Sequence, residues 1–217
     1  MKFKEAVTYD DMLIVPQYSD IESRKEVDIG SNLGHRELRL PIIASPMDTV
    51  SGVDMAIAMY RAGGLAVLHR YNTIEEQRRM AREVIDHTEW SGNVAAAIGV
   101  TGNYLQRAES LVAVGVDILC VDVAHGHHSL MKKALTTLRE AFDNHIYIMA
   151  GNVCTLEGIN DLADWGADAV RCNIGGGSIC STRIVTGHGL PGLQTIFDCA
   201  RTDRDVKIIA DGGIKTS

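Results

Sequence analysis

Residues 146–178 read IYIMAGNVCTLEGINDLADWGADAVRCNIGGGS. Two short apolar runs, 146–150 and 169–174, flank a segment of helical spacing at 156–165. Each run ends in small or polar residues: Gly151-Asn152 after the first, and Gly175-Gly176-Gly177-Ser178 after the second. Runs this apolar suit strands buried on both faces, as in a parallel sheet covered by helices.

The same unit repeats outward. Upstream apolar runs lie at 41–45, 65–68, 94–100 and 118–123, and one more follows at 207–210. Helical patterns at 74–86, 104–114 and 129–142 lie between them. Alternation of this kind means α/β architecture. Nearly every run ends in Gly or polar residues, among them Ser45-Pro46-Met47-Asp48, His69-Arg70 and Ala210-Asp211-Gly212-Gly213. A doubly wound sheet gathers its site at one switch point. A site drawn from nearly all strand ends suits a (β/α)8 TIM barrel. Seven strands can be counted, so the eighth strand is expected to be missing from this chain. A seven-strand barrel would leave open edges. The first forty residues read as irregular. Residues 1–217 are expected to form a single incomplete (β/α)8 catalytic barrel.

Composition narrows the function classes. The chain has 217 residues, 46% hydrophobic, with a net charge of -7. That is enough for one sizeable core. The acidic balance argues against a nucleic-acid partner. No apolar run reaches the roughly 18 residues of a membrane span, and the N-terminus lacks the apolar stretch of a signal peptide. Five cysteines with no CxxC spacing point to a reducing compartment, with the cytoplasm as default.

The chemistry centres on one loop. Asn173-Ile174-Gly175-Gly176-Gly177-Ser178-Ile179-Cys180-Ser181-Thr182-Arg183 carries a strand into three glycines and then a cysteine. Successive glycines allow close approach of backbone to ligand, with N–H groups for a phosphate and carbonyls for a cation. Arg183 would lower the Cys180 pKa if it lay close, and the thiolate is the nucleophile. Cys120, Cys154, Cys172 and Cys199 sit in apolar patterns and read as structural. His125, His127 and His128 are a weak metal signal. His69 either lines the pocket or fills it.

These motifs together resemble the IMP dehydrogenase / GMP reductase family. The cysteine loop is similar to that family's G-x-G-P-G-S-x-C-x-T-R. Thr8–Pro16, Ser45-Pro46-Met47-Asp48-Thr49-Val50, Asp122-Val123-Ala124-His125-Gly126, Ala150-Gly151-Asn152-Val153 and Ala210-Asp211-Gly212-Gly213-Ile214 match further segments in order. The resemblance implies a purine nucleotide oxidoreductase of purine metabolism and GMP biosynthesis. Cys180 would attack C2 of a purine nucleoside monophosphate, with Thr182 assisting proton transfer. Ser178 and Gly213 would hold the phosphate, Asp211 the ribose, and Ser45 and Met47 would flank the nucleotide. Asp122 and Asn152 would face NAD, or NADP in a reductase. Carbonyls of Gly175, Gly177 and Cys180 would form part of a potassium site. A homotetramer or octamer is the implied assembly.

The main reading is IMP dehydrogenase: IMP, NAD+ and water give XMP and NADH. The alternative is GMP reductase, in which GMP and NADPH give IMP and ammonia. The absence of room for an inserted regulatory (CBS-type) domain resembles the reductase. Ser45-Pro46, residues 55–59, His125 and Gly213-Ile214 lean toward the dehydrogenase. The resemblance also implies a C-terminal flap region, expected to be missing from this chain; the residues that would decide lie past Ser217, so the chain alone is expected not to complete a catalytic cycle. A non-catalytic nucleotide-binding remnant is a further reading. A flavin-dependent barrel is another, which the Cys180 and Thr182 pair disfavours. Three positions depart from the family pattern: Asn173 stands where glycine is usual, Gly176 where proline is, and Gly192 after Pro191 where glutamine is.

Overall fold

The computed structural model describes residues 5–34, 36–88, 94–177 and 180–215. A short antiparallel hairpin comes first, β1 (Ser31–Leu33) and β2 (Arg36–Leu38). Seven parallel strands follow: β3 (Ile43–Ala44), β4 (Leu65–Leu68), β5 (Ala95–Ile98), β6 (Ile118–Asp122), β7 (Tyr147–Val153), β8 (Ala169–Cys172) and β9 (Lys207–Ala210). They are hydrogen-bonded in strict chain order. A doubly wound sheet would reverse that order at its switch point. The sequential order is that of a (β/α)8 barrel, with seven of the barrel's strands present.

Helices alternate with the strands: α1 (Val53–Ala62), α2 (Ile74–Thr88), α3 (Tyr104–Val112), α4 (Ser129–Phe142), α5 (Leu156–Asp164), α6 (Ser181–Thr186) and α7 (Gly192–Cys199). Local signals set their ends. Thr155 caps α5 by accepting from the Gly158 N–H at 3.0 Å. Gly63, at φ 88°, ends α1 in the left-handed conformation that glycine adopts freely.

Period-2 alternation divides the buried side chains into two clusters. Leu65, Val67, Ala95, Ala97, Ile118, Cys120, Met149 and Ala169 pack together inside the barrel. Their neighbours Ala66, Leu68, Ala96, Ile98, Leu119, Val121, Ile148, Ala150 and Val170 face the helix layer. There they meet Leu111, Met131, Leu135, Leu138, Ile159 and Leu162. At about 25 cal/mol per Å² of apolar surface removed from water, this double burial dominates folding.

The hairpin corrects the reading of the first forty residues as irregular. Leu33 and Leu38 join the inner cluster. Gly34 approaches the Tyr147 ring so closely that a Cβ there would lie 2.7 Å from Tyr147 Cδ2. Tyr147 begins β7, so the hairpin covers the N-terminal end of the barrel. Strands of three residues carry too little periodicity to be seen in sequence. Several other strands are shorter than the apolar runs that announce them, β3 most of all.

Candidate active site

Strand ends at the C-terminal face converge on a cleft of about 480 Å³. Ser45 and Met47 enter it after β3, Asp122 at the end of β6, and Asn152 from β7. Gly175, Gly177, Cys180 and Thr182 come from the loop after β8, and Asp211 and Gly213 from the segment after β9. Ser178 lies outside the described residues. The other residues expected to contact nucleotide, dinucleotide or cation, together with Cys180 and Thr182, all line this one cleft.

Cys180 stands immediately before α6 and its N–H donates to the Gly177 carbonyl at 3.1 Å. Partial burial pushes the thiol pKa up. Hydrogen bonds outweigh that effect: the Arg183 backbone, the Thr182 hydroxyl and backbone, and the Gly175 backbone all stabilise the thiolate, and the pKa falls below the ordinary thiol value. Donors aimed at a sulfur favour its charged form. Arg183 therefore acts through its backbone and not through the guanidinium that the sequence suggested. Its side chain is exposed.

The other cysteines differ. Burial pushes Cys120 up to about 11, and burial likewise raises Cys154. The Cys172 thiol is raised by its hydrogen bond to Cys199 and by burial. Cys199 is lowered by that same bond, but it is fully buried. Cys180 alone combines a favoured thiolate with access to the cleft.

Sequence reasoning missed Arg171. It sits in the apolar run of β8 and points into the barrel mouth, 7% exposed. Its Nη1 lies 2.5 Å from Asp122 Oδ1 and 3.7 Å from Cys120 Sγ. Its Nη2 lies 3.1 Å from both oxygens of Asp211. Burial alone would lower its pKa. The carboxylates of Asp211 and Asp122 outweigh burial and hold the guanidinium charged. The available signal was a lone charge in a run buried on both faces, which must point at partners.

Gly151 makes room for this arginine. A Cβ at 151 would lie 2.7 Å from Arg171 Cβ and 2.9 Å from its carbonyl oxygen. The β7–β8 register shifts between Gly151 and Val153, and such a bulge re-aims the side chain within it. That residue is Asn152. Its Nδ2 donates to the Asn173 carbonyl at 2.9 Å and to Asp211 Oδ2. Asp122 and Asn152, both expected to face a dinucleotide, thus share one polar network with Asp211.

The loops over the mouth touch through backbone. Gly213, at φ 79°, has no room for a side chain: a Cβ would lie 2.7 Å from the Gly176 carbonyl oxygen. The histidines have local roles instead. His127 Nε2 lies 2.7 Å from Asp161 Oδ2. His128 Nδ1 accepts from the Leu130 N–H and caps α4. Among the described residues, no group of three His, Cys, Asp or Glu is placed to hold a metal. His69 stacks on Tyr71, with ring centroids 6.5 Å apart, and Tyr71 lines the cleft.

A family model described as the IMP dehydrogenase / GMP reductase domain matches residues 6–217. The inosine-5'-monophosphate dehydrogenase of Nitrosopumilus maritimus is 28% identical over 341 residues, an alignment that covers 100% of this chain and 71% of the relative. The crystal structure of inosine 5' monophosphate dehydrogenase from Legionella pneumophila superposes with a TM-score of 0.89 at 46% identity, covering 98% of this chain and 64% of that one. That of GMP reductase from Trypanosoma brucei, in complex with guanosine 5'-triphosphate, gives 0.88 at 28% identity, covering 99% and 82%. This chain therefore spans less than two thirds of the Legionella chain.

Proposed function

The chain belongs to the IMP dehydrogenase / GMP reductase family, and on that premise we propose that it binds a purine nucleoside monophosphate in the strand-end cleft and reacts at C2 through Cys180. The observation that carries the proposal is the convergence on one cleft of a favoured thiolate with Thr182 and Asp211.

In the dehydrogenase reading, the Cys180 thiolate adds to C2 of IMP and forms a C–S bond. The Thr182 hydroxyl, within reach of the sulfur, passes on the proton given up by the water that attacks C2 in the second step. NAD+, when bound, accepts the hydride that leaves C2. Water then releases XMP and restores the thiol. The 46% identity to the Legionella dehydrogenase, against 28% to the trypanosomal reductase, favours this direction.

Ligand roles follow from the donors that remain. A carboxylate offers about four lone-pair sites, and three hydrogen bonds already reach Asp211. A ribose diol would therefore displace one of them as it binds. Asp122 Oδ2 bears no partner among the described residues, which leaves an acceptor for the dinucleotide. The carbonyls of Gly175, Gly177 and Cys180 would supply an oxygen-only set of the kind that suits potassium. Gly177 O already accepts from the Cys180 N–H and offers its second lone pair. Gly213 and Ser178 would take the phosphate.

We place the protein in the cytoplasm as a homotetramer or octamer. No helix among the described residues is long and apolar enough to cross a membrane. Leu13, Ile14 and Tyr18 are more than nine-tenths exposed, which supports burial against a second copy.

The test is absorbance at 340 nm for the longest available form of this protein with IMP and NAD+, and separately with GMP and NADPH. A rise with IMP supports the dehydrogenase, and a fall with GMP the reductase. Neither change, together with no binding of either nucleotide, would overturn the proposal.

A further inference from the structure

One buried side chain fills the space beneath the cysteine loop. Asn173, 5% exposed, projects from the end of β8 toward the segment after β9. Its Nδ2 donates to the carbonyls of Asp211 at 3.0 Å and Gly212 at 3.2 Å, which uses both amide hydrogens. Its own backbone is held too. The N–H donates to Val153 O at 3.0 Å, and the carbonyl accepts from Asn152 Nδ2 at 2.9 Å.

Glycines surround this amide. A Cβ on Gly176 would lie 2.2 Å from Nδ2, 2.6 Å from Oδ1 and 2.8 Å from Cγ of Asn173, and these are its three nearest heavy atoms. A Cβ on Gly192 would lie 3.3 Å from the same Nδ2 and 2.8 Å from Tyr9 Cε2. Asn173, Gly176 and Gly192 thus meet at one point. Oδ1 of Asn173 is buried with no hydrogen-bond partner among the described residues. Such acceptors are rare in folded proteins. This one is retained where the other end of the amide ties two loops together.

We infer that Asn173 is a positioning residue, a side-chain strut that sets the cysteine loop against the Asp211–Gly213 segment. A proline restricts its loop by fixing φ. Gly176 lacks that restriction, and the amide supplies it by binding across the mouth. Gly176 is not among the glycines at positive φ. The obstacle to a side chain there is therefore the Asn173 amide. A side chain at 176 and the Asn173 amide therefore exclude each other.

The inference rests on the reading of Cys180 as the nucleophile of a nucleotide site, because the strut sets how that thiol faces Asp211. Its test reads the thiol, independently of turnover. Gly176→Pro, Asn173→Gly and the double variant would each be alkylated with iodoacetamide across a pH series. Peptide mapping would resolve Cys180 from the other cysteines, and circular dichroism would follow the fold.

Each single change is expected to slow alkylation at neutral pH and move its midpoint upward, because the donors around the sulfur are displaced. The double variant should return to within about twofold of the parent, a coupling of about tenfold, which is the scale seen for contacting pairs. Should either single variant fail to fold, a folded double variant with near-parent alkylation supports the strut equally. Additive losses in the double variant, or a Gly176→Pro protein indistinguishable from the parent, would overturn it. Protection of Cys180 by IMP is measured on the same proteins. Coupling without protection removes the nucleotide reading and leaves the strut. Protection without coupling removes the strut and leaves the nucleotide reading.

Discussion

Arg171 and Asp211 join the ends of β8 and β9: Nη2 of the guanidinium lies 3.1 Å from each carboxylate oxygen. The same arginine holds Asp122, at the end of β6. One buried cation thus sets the spacing of two acidic groups across the mouth. Arg171→Met leaves both carboxylates without their counter-charge. Removing one partner of such a buried network costs about 3 kcal/mol. Urea unfolding should show a lower midpoint with an unchanged slope, and unaltered stability would contradict the assignment.

Gly151 is required by the same arginine. In Gly151→Ala the new methyl would meet Arg171 Cβ at 2.7 Å, so β7 and β8 must move apart. Overpacking of this kind costs about 1–3 kcal/mol. A denaturation midpoint equal to the parent's would show that the strands yield freely.

Thr182 acts on the sulfur through its hydroxyl as well as its backbone. Thr182→Val keeps the N–H donor and removes the O–H donor. Stabilisation of the thiolate weakens, so the Cys180 pKa rises toward the ordinary thiol value. Alkylation at neutral pH should slow, and its pH profile should move to higher pH. A profile unchanged by the substitution would leave backbone donors as the whole cause.

Asp211→Asn tests the proposed ribose contact. The amide keeps the shape and loses the charge that draws Arg171 and ribose hydroxyls. Hydrogen bonds to a charged group contribute about 1.5–3 kcal/mol, so IMP affinity measured by calorimetry should fall about tenfold or more. Equal affinity would place the ribose elsewhere.

Much of this was legible in the residues themselves. Runs such as 118–123 and 169–174 announce strands because burial on both faces demands continuous apolar sequence. Cys180 stands out because its neighbours are Gly and Ser and not core residues. Arg171 was hidden because an apolar run masks the one position that faces the barrel mouth. The hairpin at 31–38 was hidden because, among its described residues, only Leu33 and Leu38 are buried. The strut of Asn173 was visible only as a departure from a pattern. Its meaning needed the distance to Gly176, which no spacing in the sequence encodes.

The most direct measurement of the central claim is iodoacetamide labelling of Cys180, followed by peptide mapping with and without saturating IMP. A nucleotide seated with C2 against the sulfur predicts labelling slowed by about tenfold or more, the effect of occupying most of the sites at high ligand excess. The Cys120 peptide, buried in the barrel, should stay unlabelled in both. Equal labelling of Cys180 with and without IMP, in a protein that remains folded, would contradict the placement of the reacting carbon at this thiol.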